Sequence, residues 1–144
     1  MNKDQVREQL SFHSGRNKNI DDPRWKKGFL GSLRPYQGME LIESNFHNII
    51  ECLYTLSPYL RESELIEKGI VSDVSGILCL AKAWAVHADG MLRSNNIITQ
   101  NQANVIDGWL DCISYTWTMV LDSQDENIAF KSYNEQYISN IDTG

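Results

Sequence analysis

Cysteine, proline and late positive charge are all scarce in this chain of 144 residues. Its three cysteines, Cys52, Cys79 and Cys112, are odd in number and far apart, which excludes a disulfide-stapled secreted scaffold. Each falls within a helical pattern, so each is expected to be a buried thiol packed as a small hydrophobe. Long apolar runs are missing too. The strongest, residues 77–88, is interrupted by Lys82 and His87 and is shorter than the roughly 20 residues of a bilayer span. The opening Met1-Asn2-Lys3-Asp4-Gln5 has no apolar core of the kind a Sec-type signal carries. These absences predict a soluble cytoplasmic domain. Ready-made site motifs are also lacking: there is no Cys-x-x-Cys, no His-Glu-x-x-His and no Asp-x-Asp-x-Asp-Gly loop. Gly28-Phe29-Leu30-Gly31 lacks the Lys-Ser/Thr ending of a phosphate-cradling loop.

What the chain does have is ordinary globular composition, 42% hydrophobic and 22% charged. Its length fits one domain that buries about two-thirds of its unfolded surface, so folding requires neither disulfide nor metal. The charge is unevenly divided. Residues 1–34 carry eight Lys/Arg against four Asp/Glu, whereas residues 35–144 carry five against fifteen. This predicts a single helical domain over 1–144, built from a basic N-terminal segment (1–38) and an acidic helical body (39–144). An acidic body repels nucleic acid and attracts basic partners at long range.

The body reads as helices. Residues 39–56 place Ile42, Phe46, Ile49, Ile50, Leu53 and Leu56 at the spacing of one buried helix face. Pro58 has no amide hydrogen and disfavours helical geometry at Ser57, which predicts a stop or kink there. A short helix over 62–68, closed by Gly69, is expected next. The most apolar pattern runs from about Asp73 to Arg93 through Val74, Ile77, Leu78, Ala81, Trp84, Ala85, Ala88 and Leu92. Its small residues predict the central helix, with fraying near Gly90. Thr99-Gln100-Asn101-Gln102 fits a capping box ahead of Val105, Ile106, Trp109, Leu110, Ile113, Trp117 and Val120. A polar connector at 122–127 closes that helix, and 128–141 fits a looser amphipathic helix through Ala129, Tyr133 and Tyr137. Upstream, Asp4 to Phe12 suggests a helix through Val6 and Leu10. Asp22-Pro23 reads as an N-cap with Pro at N1, opening a short helix through Trp25 and Phe29. Gly28, Gly31, Pro35 and Gly38 then punctuate a connecting loop. The expected fold is all-α, a compact bundle of about five to seven helices with an irregular N-terminal segment.

Catalytic chemistry finds little purchase. Nucleophilic catalysis needs a Ser or Cys beside an oriented His, and none of His13, His47, His87 or the cysteines sits in such a motif. A di-iron bundle would need Glu-x-x-His from two helices. Here Glu43, His47 and Glu51 stand four residues apart on one helix, a spacing common on solvated faces. The basic residues Arg16, Lys18, Arg24, Lys26, Lys27 and Arg34 surround Trp25 but are interrupted by Asp21 and Asp22. They match no nucleic-acid motif, and the plainer reading is that they neutralise the acidic body or sit in solvent. The sequence therefore predicts no catalytic residue, no metal and no cofactor.

The carboxylates carry the stronger signal. Opposite the apolar face of the first body helix, Glu40, Glu43, His47, Glu51 and Tyr54 recur at helical spacing. On the capped helix Asn104, Asp107, Asp111 and Tyr115 do the same. Carboxylates orient Lys and Arg through charge-assisted bonds, and Tyr adds contact area at low entropic cost. Outward faces are ordinarily charged, but these lack the Lys partners that support a self-standing helix. Glu40, Glu43, Glu51, Asp107 and Asp111 are accordingly the candidate charge contacts to a protein partner, with Tyr54 and Tyr115 as anchors.

Four strings add a resemblance: Arg34-Pro35-Tyr36-Gln37-Gly38, the helix containing Asn45-Phe46, Ala83-Trp84-Ala85, and Gly90-Met91-Leu92-Arg93-Ser94-Asn95. Together, over roughly residues 34–121, the chain resembles small helical immunity proteins of bacterial polymorphic toxin systems, including contact-dependent growth inhibition. The resemblance implies a cytoplasmic protein that binds one cognate toxin domain, often a basic nuclease, and blocks its active site. The acidic body and the short apolar runs predict no direct contact with nucleic acid or membrane. The rival readings are a small hydrolase using His47 or His87, metal-dependent or not, and a nucleic-acid-associated regulator acting through the N-terminal segment.

Overall fold

The structure, a computed structural model, describes residues 1–34, 36 and 40–138. Among the described residues there is no strand, and the fold is all-α. In chain order the helices are α1 (Lys3–His13), α2 (Pro23–Lys27), α3 (Phe29–Leu33), α4 (Glu43–Arg61), α5 (Lys68–Ala81), α6 (Met91–Ser94), α7 (Gln100–Leu121), α8 (Glu126–Ala129) and α9 (Lys131–Tyr133). Five-residue π turns, Lys82–Val86 and Asn134–Ile138, extend α5 and α9. The expected loop residues Pro35 and Gly38, the helix start at Met39 and positions 139–141 lie outside the described residues.

Local chemistry starts the helices where the orphan amides of a first turn need acceptors. Thr99 accepts from the Gln102 amide while the Gln102 side chain reaches back, so the capping box of α7 forms as expected. Asp22 caps α2 with Pro23 at its first position, and Asn2 and Gln5 make a second capping box on α1. The single helix expected through Trp25 and Phe29 is split at Gly28, where a Cβ would stand 2.7 Å from the Phe12 carbonyl oxygen. Gly31, expected in a loop, lies within α3 instead.

The centre belongs to α7 and not to α5. Ala103, Ile106, Trp109, Leu110, Cys112, Ile113, Trp117 and Val120 of α7 are buried, reaching α4 on one side and the α5 region on the other. Of the expected α7 stripe only Val105 faces out, at 45% exposure. The expected helix from Asp73 to Arg93 is broken: α5 starts earlier, loosens into the π turn and leaves helical geometry at His87. Gly90 packs where a Cβ would fall 2.3 Å from the Ala83 carbonyl oxygen, so the chain folds back on itself there. By length and composition Lys68–Ser94 could cross a membrane, with a mean hydropathy of 1.5 and 33% of the window buried. The break leaves α5 with 14 residues, about 21 Å of helix against a hydrocarbon core of about 30 Å. Cys79 falls on the outer face of α5 and is exposed, contrary to expectation, while Cys52 and Cys112 are buried as expected.

Two further expectations fail around Pro58. α4 begins only at Glu43 and continues through Pro58 to Arg61. Pro58 leaves the carbonyl of exposed Tyr54 without its helical donor, while buried Leu53, Leu56 and Ser57 hold the turn in place. No helix forms over 62–67. Ser63 folds onto Leu65 through its hydroxyl, and Gly69 sits in the first turn of α5, its carbonyl accepting from Arg16 Nη2 at 3.1 Å.

The basic segment is part of the core. Val6, Leu10, Phe29, Leu30 and Leu33 are buried in the same cluster as the body, and Phe12 is buried as well. Its arginines strap it down: Arg7 bridges Asp4 and Glu67, Arg24 pairs with Glu8 and Asp22, and Arg16 Nε meets Asp73 Oδ1 at 2.5 Å. Asp73, 2% exposed, also accepts from Ser14. Arg34 lies over the Trp84 ring.

Candidate protein-binding surface

The candidate surface begins with the packing of α4 on α7, which stacks Phe46 against Trp109 at 5.7 Å between ring centroids. Over this seam runs the C-terminal segment. Phe130 is buried, and Tyr133 and Tyr137 meet Phe46 edge-on at 5.7 and 4.8 Å. Gly108 of α7 leaves room for the Tyr137 hydroxyl, which a Cβ there would approach to 3.3 Å. His47 Nδ1 lies 2.6 Å from the Tyr133 hydroxyl, and its Nε2 is 3.8 Å from Glu43. The imidazole is thus a strut between α4 and α9, not a free group on a solvated face.

This geometry brings the two acidic helix faces to the flanks of one aromatic strip. Burial pushes the Tyr133 phenol up, aided by the Cys112, Glu43 and Glu51 charges. For Tyr137 the order is burial, then Cys112, Glu43 and Asp111. Both phenols therefore feel carboxylates of α4, and Tyr137 also feels one of α7. Tyr54, 56% exposed, packs its ring edge on Phe130. Asp107 and Tyr115 flank Asp111 one turn either way on α7, and Tyr115 is 43% exposed. Neither has a contact that joins it to the α4 group among the described residues. Glu40 is exposed and precedes α4 in non-helical backbone. Sequence periodicity found the acidic faces; it did not reveal that Phe130, Tyr133 and Tyr137 bridge them.

Six carboxylates, Asp4, Glu8, Asp22, Glu67, Asp73 and Glu126, are neutralised by arginine, and none of the six is a candidate contact residue. Among the described residues, Glu40, Glu43, Glu51, Asp107 and Asp111 pair with no Lys or Arg.

Beside Glu51 a groove of about 570 Å³ opens between α1, α2 and α4, walled by Phe12, His13, Arg24, Lys27, Asn48 and Glu51 among others. Its histidine is engaged at both ring nitrogens: His13 Nδ1 accepts from the Phe29 amide at 3.1 Å, and Nε2 faces Asn48 Oδ1 at 2.7 Å. The buried thiols are poor nucleophiles, since burial pushes Cys52 up to about 12 and Cys112 up to about 11. His87 is exposed on the loop after the π turn. Among the described residues no three His, Cys, Asp or Glu side chains converge. The arrangement places carboxylates on either side of aromatic side chains. Compared with models of protein families, with characterised proteins and with solved structures, the chain gives no match in any of the three.

Proposed function

We propose that the protein is a non-enzymatic, cytoplasmic immunity-type protein whose acidic surface on α4 and α7 binds a cognate toxin domain and covers its active site. A basic nuclease is the toxin class whose chemistry fits best. The observation that carries this reading is the grouping of three carboxylates without a Lys or Arg partner, Glu43, Glu51 and Asp111, around the Tyr133 and Tyr137 phenols. Uncompensated like charge is unfavourable within a lone fold and favourable against a cationic partner. A nuclease must present Lys, Arg or His to phosphate, so a carboxylate face competes directly with its substrate. Tyr54 and Tyr115 supply contact area at the rim.

The test is to mix the protein with the toxin domain encoded beside it and follow association by stopped flow as salt is varied. A complex is expected whose on-rate falls steeply with ionic strength. Combining Glu43→Gln, Glu51→Gln and Asp111→Asn should slow association about tenfold at low salt while leaving the fold intact. An on-rate indifferent to salt would refute the electrostatic mechanism, and the lack of any complex would refute the reading itself.

A further inference from the structure

We propose that His13 is a proton-operated latch that holds α2 and α3 against α1 and α4 and releases them in mild acid. The latch is built from three elements. His13 ends α1 and is 7% exposed. Its Nδ1 accepts from the amide of Phe29, the first residue of α3, a main-chain donor that no intrahelical carbonyl can serve. That contact requires Nδ1 to be bare, so the neutral ring carries its single proton on Nε2. The Nε2–H then donates to Asn48 Oδ1 of α4 at 2.7 Å. One tautomer satisfies both partners, Phe29 and Asn48, and no other does.

Adding a proton destroys that match. The second hydrogen must go on Nδ1, pointing at the Phe29 amide hydrogen across a 3.1 Å gap. Imidazolium has two donors and no acceptor, so the α1–α3 bond is lost and the Phe29 amide is orphaned. The surroundings do little to favour the cation. Arg24 and Lys27 of α2 line the same groove and oppose a further positive charge, while His47 and exposed Glu51 line its α4 side. Glu8 of α1 is engaged by Arg24, and Asp73 of α5 by Ser14 and Arg16. Burial outweighs the bond to Asn48 and lowers the His13 pKa below 6.5.

The direction of the pH effect follows. The released state binds a proton near 6.5 and the latched state only at lower pH, so the released state holds more protons between the two values. The latch is fully engaged above pH 6.5 and weakens as pH falls through that window. Histidine is the side chain whose ordinary range makes this possible near neutrality.

The full-length chain can be followed by NMR from about pH 7.5 to about pH 5, a range chosen to span histidine titration. Imidazole nitrogen shifts should report the Nε2–H tautomer and a His13 midpoint below 6.5. Exchange of the Phe29 amide, corrected for intrinsic rate, should lose up to about tenfold protection per pH unit below that value while α7 amides lose less. His13→Gln, which offers an amide oxygen and NH₂ in place of the ring, should flatten that dependence. An Nδ1–H tautomer, a midpoint at or above 6.5, unchanged Phe29 protection, or an equal loss at α7 would each overturn the proposal. Should His13→Gln not fold, the wild-type titration and exchange decide alone.

Discussion

Single residues in this protein take their meaning from what stands against them. Gly31 and Gly76 look alike in the sequence, yet a Cβ on Gly31 would meet the Trp25 carbonyl oxygen at 2.0 Å, and one on Gly76 would meet nothing within 4 Å. Backbone cannot step aside as a flexible side chain can. Gly31→Ala should therefore lower stability by about 2–3 kcal/mol. Gly76→Ala, mid-helix in α5, should raise it by about 0.5–1 kcal/mol by restricting the unfolded chain. Urea midpoints of the two variants check both signs. The Tyr133 hydroxyl presents a similar case, since its partner His47 is 86 residues away. Tyr133→Phe should cost about 1 kcal/mol and loosen the C-terminal segment over the α4–α7 seam, measurable as faster amide exchange in α9.

Elements were legible where the signal is local and illegible where it is not. The capping box at Thr99 could be read because every participant lies within four residues. Thr99→Ala should cost about 1 kcal/mol and Thr99→Ser much less, a contrast that thermal unfolding would reveal. The acidic faces of α4 and α7 were legible for the same reason, as helical spacing puts Glu43, His47 and Glu51, or Asp107, Asp111 and Tyr115, on one side. The failures share a cause. α5 was expected to continue to Arg93 because its pattern stays apolar, but the turn at Gly90 is imposed by carbonyls of Ala83 and Trp84 approaching its backbone. α4 was expected to stop or kink at Pro58; it does not stop, and with Leu53 and Leu56 buried the helix runs on past the ring to Arg61. Propensity is a weak prior where tertiary contacts oppose it.

At the scale of the whole molecule, the charge division is a matter of assembly. The basic N-terminal segment straps the body through Arg7 to Glu67 and Arg16 to Asp73 and supplies core residues besides. Arg16→Ala would leave the Asp73 carboxylate buried with Ser14 alone and should cost about 2 kcal/mol, read from chemical denaturation. A chain beginning at Glu40 would lack Val6, Leu10, Phe12, Phe29, Leu30 and Leu33 from the core and should show no cooperative unfolding transition. With the strap's arginines engaged, Glu43, Glu51, Asp107 and Asp111 of α4 and α7 are among the carboxylates left without a Lys or Arg partner. The sequence by itself determined the all-α class, the helix starts at Asp22 and Thr99, and which residues could line acidic faces, because each depends on neighbours a few positions apart. Only the tertiary structure decided that α7 is central, that α5 breaks, that the arginines pair with distant carboxylates, and that Tyr133 and Tyr137 pack over the seam between α4 and α7. Those outcomes rest on contacts between residues far apart in the chain, whose closeness follows from core packing and not from local pattern.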